Sequence, residues 1–148
     1  MKYLCRPFFA LIAFCVAMPL WAAPIEGSWI TIDDTDGSQK SLIELSITPQ
    51  NELTGTITQL LQEKNQGLVC EKCPDKFKDQ PVEGLTIMWG LKQTDKGEWR
   101  NGKILDPKTG KVYKARAELS ENGTELTVRG YIGFSLFGRS QTWIRQPE

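Results

Sequence analysis

From Gly27 onward, apolar and β-branched residues recur at every second position in short runs, and turn-forming residues separate the runs. A period of two is the mark of strands buried on one face, and no long segment shows the spacing of an amphipathic helix. The pattern predicts eight strands, Gly27–Ile32, Ser41–Thr48, Glu52–Leu61, Leu85–Leu91, Glu98–Leu105, Lys111–Leu119, Glu125–Ile132 and Arg139–Arg145. Between them, Asn122-Gly123 tolerates the positive backbone angles of a tight hairpin, and Asp106-Pro107-Lys108-Thr109-Gly110 sets a proline at a turn's first corner and a glycine at its exit. The hairpin also accounts for Asn122-Gly123-Thr124, which spells a glycosylation acceptor. Pro49-Gln50-Asn51 and Asp95-Lys96-Gly97 serve in the same way. Strands joined by such short loops are antiparallel neighbours, so the chain reads as a meander.

A meander of this size closes into a barrel or folds into a sandwich. The barrel is preferred, because closure removes exposed edges and eight strands enclose an interior just wide enough to be filled or to hold one small ligand. The expected fold class is therefore all-β, an eight-stranded antiparallel up-and-down barrel. The expected inward sets are Ile43, Leu45 and Ile47; Leu85, Ile87, Trp89 and Leu91; Tyr113, Ala115, Ala117 and Leu119; and Leu126, Val128 and Gly130. The small residues among them either leave room inside or permit tight coiling.

Two segments break the alternation. From about Gln62 to Gly84 the chain is polar and holds Cys70-Glu71-Lys72-Cys73, and loops of this length are usually lids or binding loops. Gly130–Arg139 is glycine-rich and apolar where a connecting loop belongs. Its Phe134, Leu136 and Phe137 are expected to tuck over one barrel end as a plug; the functional reading is an apolar portal or a surface for a hydrophobic ligand or partner.

Composition narrows the chemistry. The 148 residues carry 18 basic and 18 acidic side chains and no histidine, enough for one domain. The lack of histidine removes the commonest general base and the usual nitrogen ligand of zinc, so no metal or cofactor is expected. Interspersed charges give no footprint for nucleic acid. Lys2 and Arg6, the apolar run Pro7–Leu20 and then Trp21-Ala22-Ala23 compose a secretory signal peptide over residues 1–22, leaving a domain over 23–148. The apolar run is shorter than a membrane-spanning helix requires, so no transmembrane segment is expected after cleavage. Cys5 and Cys15 leave with the signal. Cys70 and Cys73 then read best as a structural disulfide in an oxidising compartment, ahead of a redox motif without its βαβ context or half of a zinc site.

Among the carboxylates, Asp106 reads as a turn residue, and Asp33-Asp34-Thr35-Asp36-Gly37 as a solvated turn that lacks the distant glutamate of a calcium loop. Glu118 is a further carboxylate open to acid–base work. Gly27 and Trp29 on the first strand, with Trp143 and Arg145 on the last, suit structural closure of one barrel end, the arginine lying over an indole face. This combination favours a lipocalin-like, or calycin, barrel.

The blocks Gly27-x-Trp29, Cys70-x-x-Cys73, Gly102-x-Ile104-x-Asp106-Pro107-x-x-Gly110-x-x-Tyr113 and Gly130-Tyr131-Ile132-Gly133 through Gly138-Arg139 to Trp143-x-Arg145 resemble the bacterial secreted proteins catalogued as domain of unknown function 2147. The resemblance implies a lipocalin-like barrel exported to the Gram-negative periplasm and no established activity. The leading expectation is a periplasmic binding protein for an apolar or amphipathic small molecule or lipid. Trp89, Trp99, Tyr113, Tyr131 and Phe134 are its candidate ligand contacts, and the 62–83 loop its cover. The alternatives are a filled barrel acting through its surface in envelope interaction or stress tolerance, with no protein partner identified, and a histidine-free enzyme.

Overall fold

The computed structural model describes residues 24–134 and 136–147. The expected signal peptide, with Cys5 and Cys15, lies outside the described residues. Eight strands form one closed antiparallel barrel in chain order: β1 (Gly27–Ile32), β2 (Gln39–Ile47), β3 (Glu52–Leu60), β4 (Thr86–Asp95), β5 (Glu98–Asp106), β6 (Lys111–Leu119), β7 (Glu125–Tyr131) and β8 (Gly138–Arg145). The ring closes where β8 meets β1, through Trp29↔Arg145, Ile30↔Ile144 and Thr31↔Trp143. Among the described residues no helix is long and apolar enough to cross a membrane.

An up-and-down order sends the β2–β3, β4–β5 and β6–β7 turns to one end and the other four connections to the opposite end. The first end is packed shut. Trp29 is fully buried, its indole N–H donates to the Ile25 carbonyl at 3.0 Å, and the Arg145 guanidinium lies 4.3 Å from its ring centroid. Arg145 also donates from Nε to the Gly123 carbonyl at 2.6 Å and from its terminal nitrogens to the Glu26 and Pro24 carbonyls, tying the entering chain to the β6–β7 turn. Leu45, Leu53, Leu91 and Leu126 are buried in the same core cluster.

Two glycines make this packing possible. A Cβ on Gly102 would overlap the Leu91 side chain and approach the Trp89 carbonyl oxygen to 2.7 Å; one on Gly55 would come within 2.9 Å of Leu45. The small inward residues at these positions are thus spaces already taken by leucines.

β4 departs from strict alternation. Ile87 and Met88 are both buried, the β3–β4 register shifts between Gly55 and Thr56, and Gly90 has φ +73°. An extra residue in a strand reverses which face later side chains occupy. Trp89, expected inside, instead sits opposite exposed Lys103 and meets the Phe77 ring at a centroid distance of 5.4 Å, on the outer wall.

Candidate functional site

The other end of the barrel is hollow. A cavity of about 1090 Å³ opens between the β1–β2, β3–β4, β5–β6 and β7–β8 connections and descends between the strands. Ile43, Ile57, Leu60, Ile87, Ile104 and Val128 supply its apolar lining, and Trp143 also faces it. Polar groups converge on the β8–β1–β2 wall. Thr31 and Ser41 share a hydroxyl–hydroxyl hydrogen bond of 2.7 Å, and Gln141 stands near them on β8, its Oε1 3.5 Å from the Trp143 indole nitrogen. Tyr113 adds an aromatic face with a polar tip, and Tyr131 borders the mouth at the end of β7. The cavity therefore offers apolar inner walls with hydrogen-bonding groups on the β8–β1–β2 side and polar connections at its mouth, a combination that suits an amphipathic guest.

Charged groups stand at the rim. Asp34 pairs with Arg139, and Lys40 lies 3.5 Å from Asp33. The Thr35 backbone amide donates to Asp33 at 2.8 Å and, with the Thr35 hydroxyl and Lys40 assisting, holds that carboxyl below its ordinary value. Asp36 is lowered likewise by the Ser38 hydroxyl and amide. Asp33 and Asp36 thus form Asx-type turns, their carboxylates occupied by nearby backbone amides, while Asp34 is taken up by Arg139. Among the described residues no group of three or more carboxylates or cysteines gathers as a metal site.

The long β3–β4 connection does two things. Its Lys64, Leu68, Val69 and Lys72 line the cavity mouth, while Phe77 packs on Trp89 outside the barrel. Cys70 and Cys73, both buried, form a disulfide, and Cys70 Sγ lies 3.5 Å from the Pro107 carbonyl of the β5–β6 turn. Gly110, at φ +72°, permits this docking, because a Cβ there would overlap the Lys72 carbonyl. A short antiparallel bridge, Val69↔Pro81, and hydrogen bonds from Cys70 N–H to the Gln80 carbonyl and from Val82 N–H to the Leu68 carbonyl hold its stem.

Of the candidate contacts, Tyr113 and Tyr131 line the cavity. Trp99 is buried beside Ala117 and does not line it, Trp89 lies outside, and Phe134 projects into solvent. The expected plug is corrected here: Phe134, Leu136 and Phe137 are 79%, 80% and 68% exposed, because the loop turns outward at Gly133 and only Phe137 reaches the mouth. Gly27 sits against Arg145, with Trp29 below the guanidinium; Trp143 belongs to the cavity wall as well as to the core. Sequence reading missed Thr31, Ser41 and Gln141. Alternation alone would have turned them inward, on the same face as Trp29, Ile43 and Trp143.

A solved structure described as "Protein HP1028 from the human pathogen Helicobacter pylori belongs to the lipocalin family" superposes with a TM-score of 0.74 over 84% of each chain at 17% identity. That likeness establishes a shared lipocalin-like fold. Comparison with curated proteins gives no match. The family described as "Uncharacterized protein conserved in bacteria (DUF2147)" matches residues 27–145, from the first glycine of β1 to the arginine that covers the barrel floor, and the chain belongs to that family.

Proposed function

We infer that this protein binds one apolar or amphipathic small molecule, of the class of a single-chain lipid, in the bacterial periplasm. The observation that carries this reading is the open cavity of about 1090 Å³, with apolar side chains along its inner walls, hydroxyls and an amide on one side and charged groups around its mouth. Ligand sites commonly occupy a few hundred to about 1,000 Å³, so the space suits a whole small molecule rather than stray waters. The Helicobacter pylori protein is described only as a lipocalin family member, and that general kinship agrees with a binding role. The sequence of residues 1–22 supports export, and a Cys70–Cys73 disulfide persists most readily in an oxidising compartment. A hollow interior weighs against the filled barrel, and hydroxyls with an amide suit binding better than acid–base catalysis.

The test is native mass spectrometry and organic extraction of the protein purified from a bacterial periplasm, followed by titration with a fluorescent fatty acid. A bound amphiphile that the fatty acid displaces is expected. Protein that emerges empty and leaves the probe unbound overturns the reading.

A further inference from the structure

The strongest feature that binding in the cavity leaves unexplained is the β7–β8 loop. Ile132, Phe134, Leu136 and Phe137 are each at least two-thirds exposed, an arrangement that is unfavourable in water and uncommon without a partner. The loop is nonetheless built rather than slack. Ile132 N–H donates to the Phe137 carbonyl at 3.1 Å and Phe137 N–H to the Phe134 carbonyl at 3.0 Å. From the wall beneath, Arg129 reaches the Leu136 carbonyl at 3.1 Å and Lys114 reaches the Gly133 carbonyl at 3.3 Å. An anchored turn thus presents the apolar side chains outward.

A second oddity adjoins it. On the outer wall below the loop, Lys103 lies directly opposite Lys114, and on the next rung Arg116 lies opposite Arg129. Like charges directly across a sheet repel; Glu98 and Glu118, opposite one another further down the same strands, border the Arg116–Arg129 rung, whereas the Lys103–Lys114 rung lies on the loop side of it. Lys103, Lys114 and Arg116 take part in no ion pair among the described residues. Lys114 is in turn the cross-strand partner of Tyr131, the last residue before the loop.

We propose that the open end of the barrel docks on anionic lipid bilayers, with Ile132–Phe137 entering the headgroup layer as an apolar lip and the Lys103–Lys114–Arg116–Arg129 wall facing the lipid phosphates. A bilayer, rather than a protein, is the occupant that accounts for both features, because insertion of apolar side chains and attraction of adjacent cations are the two components of interfacial binding. Phe137 belongs both to the lip and to the cavity mouth, so a guest leaving the bilayer there enters the barrel without crossing water. Docking stands independently of what the cavity holds.

The experiment is flotation of the protein, in its exported and processed form, with vesicles of phosphatidylglycerol and phosphatidylcholine in equal parts, against vesicles of phosphatidylcholine alone. Wild-type protein is expected to float with the anionic vesicles and to be released by salt. Phe134→Ser with Leu136→Ser, neither of which lines the cavity, should weaken vesicle binding about tenfold or more. Lys114→Glu with Arg116→Glu should weaken it by about fivefold or more per cation. Circular dichroism and melting that match wild type show that both variants are folded. Wild-type protein that stays with the buffer, or variants that float as well as wild type, overturn the proposal. Gel filtration in which Phe134→Ser with Leu136→Ser converts a dimer to a monomer also overturns it, assigning the lip to a second copy. Fatty-acid titration without vesicles is read separately: its failure in wild type sinks the cavity reading and leaves flotation to decide docking.

Discussion

The two ends of the barrel are made from the same strands, yet one is solid and the other hollow. At the closed end, large side chains point inward on neighbouring strands and glycines at 55 and 102 yield space to Leu45 and Leu91. At the open end the inward positions include the small and middling Thr31, Ser41 and Val128 beside Trp143 and Tyr113, and a cavity of about 1090 Å³ remains between them. Small residues therefore have opposite consequences according to what faces them. Opposite leucine they complete a core, and opposite other small or β-branched residues they leave a cavity.

That contrast is most severely tested at Trp29. Trp29→Ala removes the side chain on which Arg145 rests and should cost about 3–5 kcal/mol in denaturant unfolding. A loss much smaller than that would mean that the closed end is not the stabilising half. Next in size, Cys70→Ser with Cys73→Ser should cost about 2 kcal/mol at most, because the disulfide closes a very short loop. Limited proteolysis should then cut between residues 62 and 83 before the barrel itself is attacked.

Val128→Trp sharpens the comparison from the hollow side. Directed toward the cavity, the indole should cost about 1 kcal/mol, the low end for enlarging a buried side chain, while displacing a fluorescent fatty acid from the cavity. The same enlargement opposite a packed leucine at the other end would be strongly destabilising.

The smallest effect concerns acid. Asp33 and Asp36 titrate below the ordinary aspartate value of 3.8 in the folded protein, so their stabilising share is present above that value and is lost as pH falls from there through the lowered folded values. Hydrogen exchange in the β1–β2 loop should rise in that window before exchange in the closed end does, and Asp33→Asn should remove part of the dependence.

Strand order and closure were legible because alternation and turn chemistry are local. β1 and β6 coincide with the expected ranges, whereas β4 runs on to Asp95 through Lys92-Gln93-Thr94, which are polar on both faces and carry no alternation to read. Trp89 was misplaced for a different reason: a bulge is set by pairing with a neighbour, and parity counted along one strand cannot register it. The cavity itself was legible only as two open readings of the small inward residues. Whether a glycine is filled depends on which side chain the barrel's register brings opposite it. The outward loop was misjudged because apolar composition alone favours burial, while hydrogen bonds from Lys114 on β6 and Arg129 on β7 hold it out.

The seam between β1 and β8 joins the first and last strands of the barrel through only three residue pairs. Until β8 has been synthesised and is free to move, the ring has no partner for its first strand, and Trp29 has no arginine above it. A nascent or truncated chain that lacks β8 consequently exposes an open sheet edge, so this architecture couples the arrival of β8 to the final covering of Trp29. Folding should be late and slow, governed by closure between distant segments, and a rise in Trp29 burial would report the moment at which β8 docks on β1.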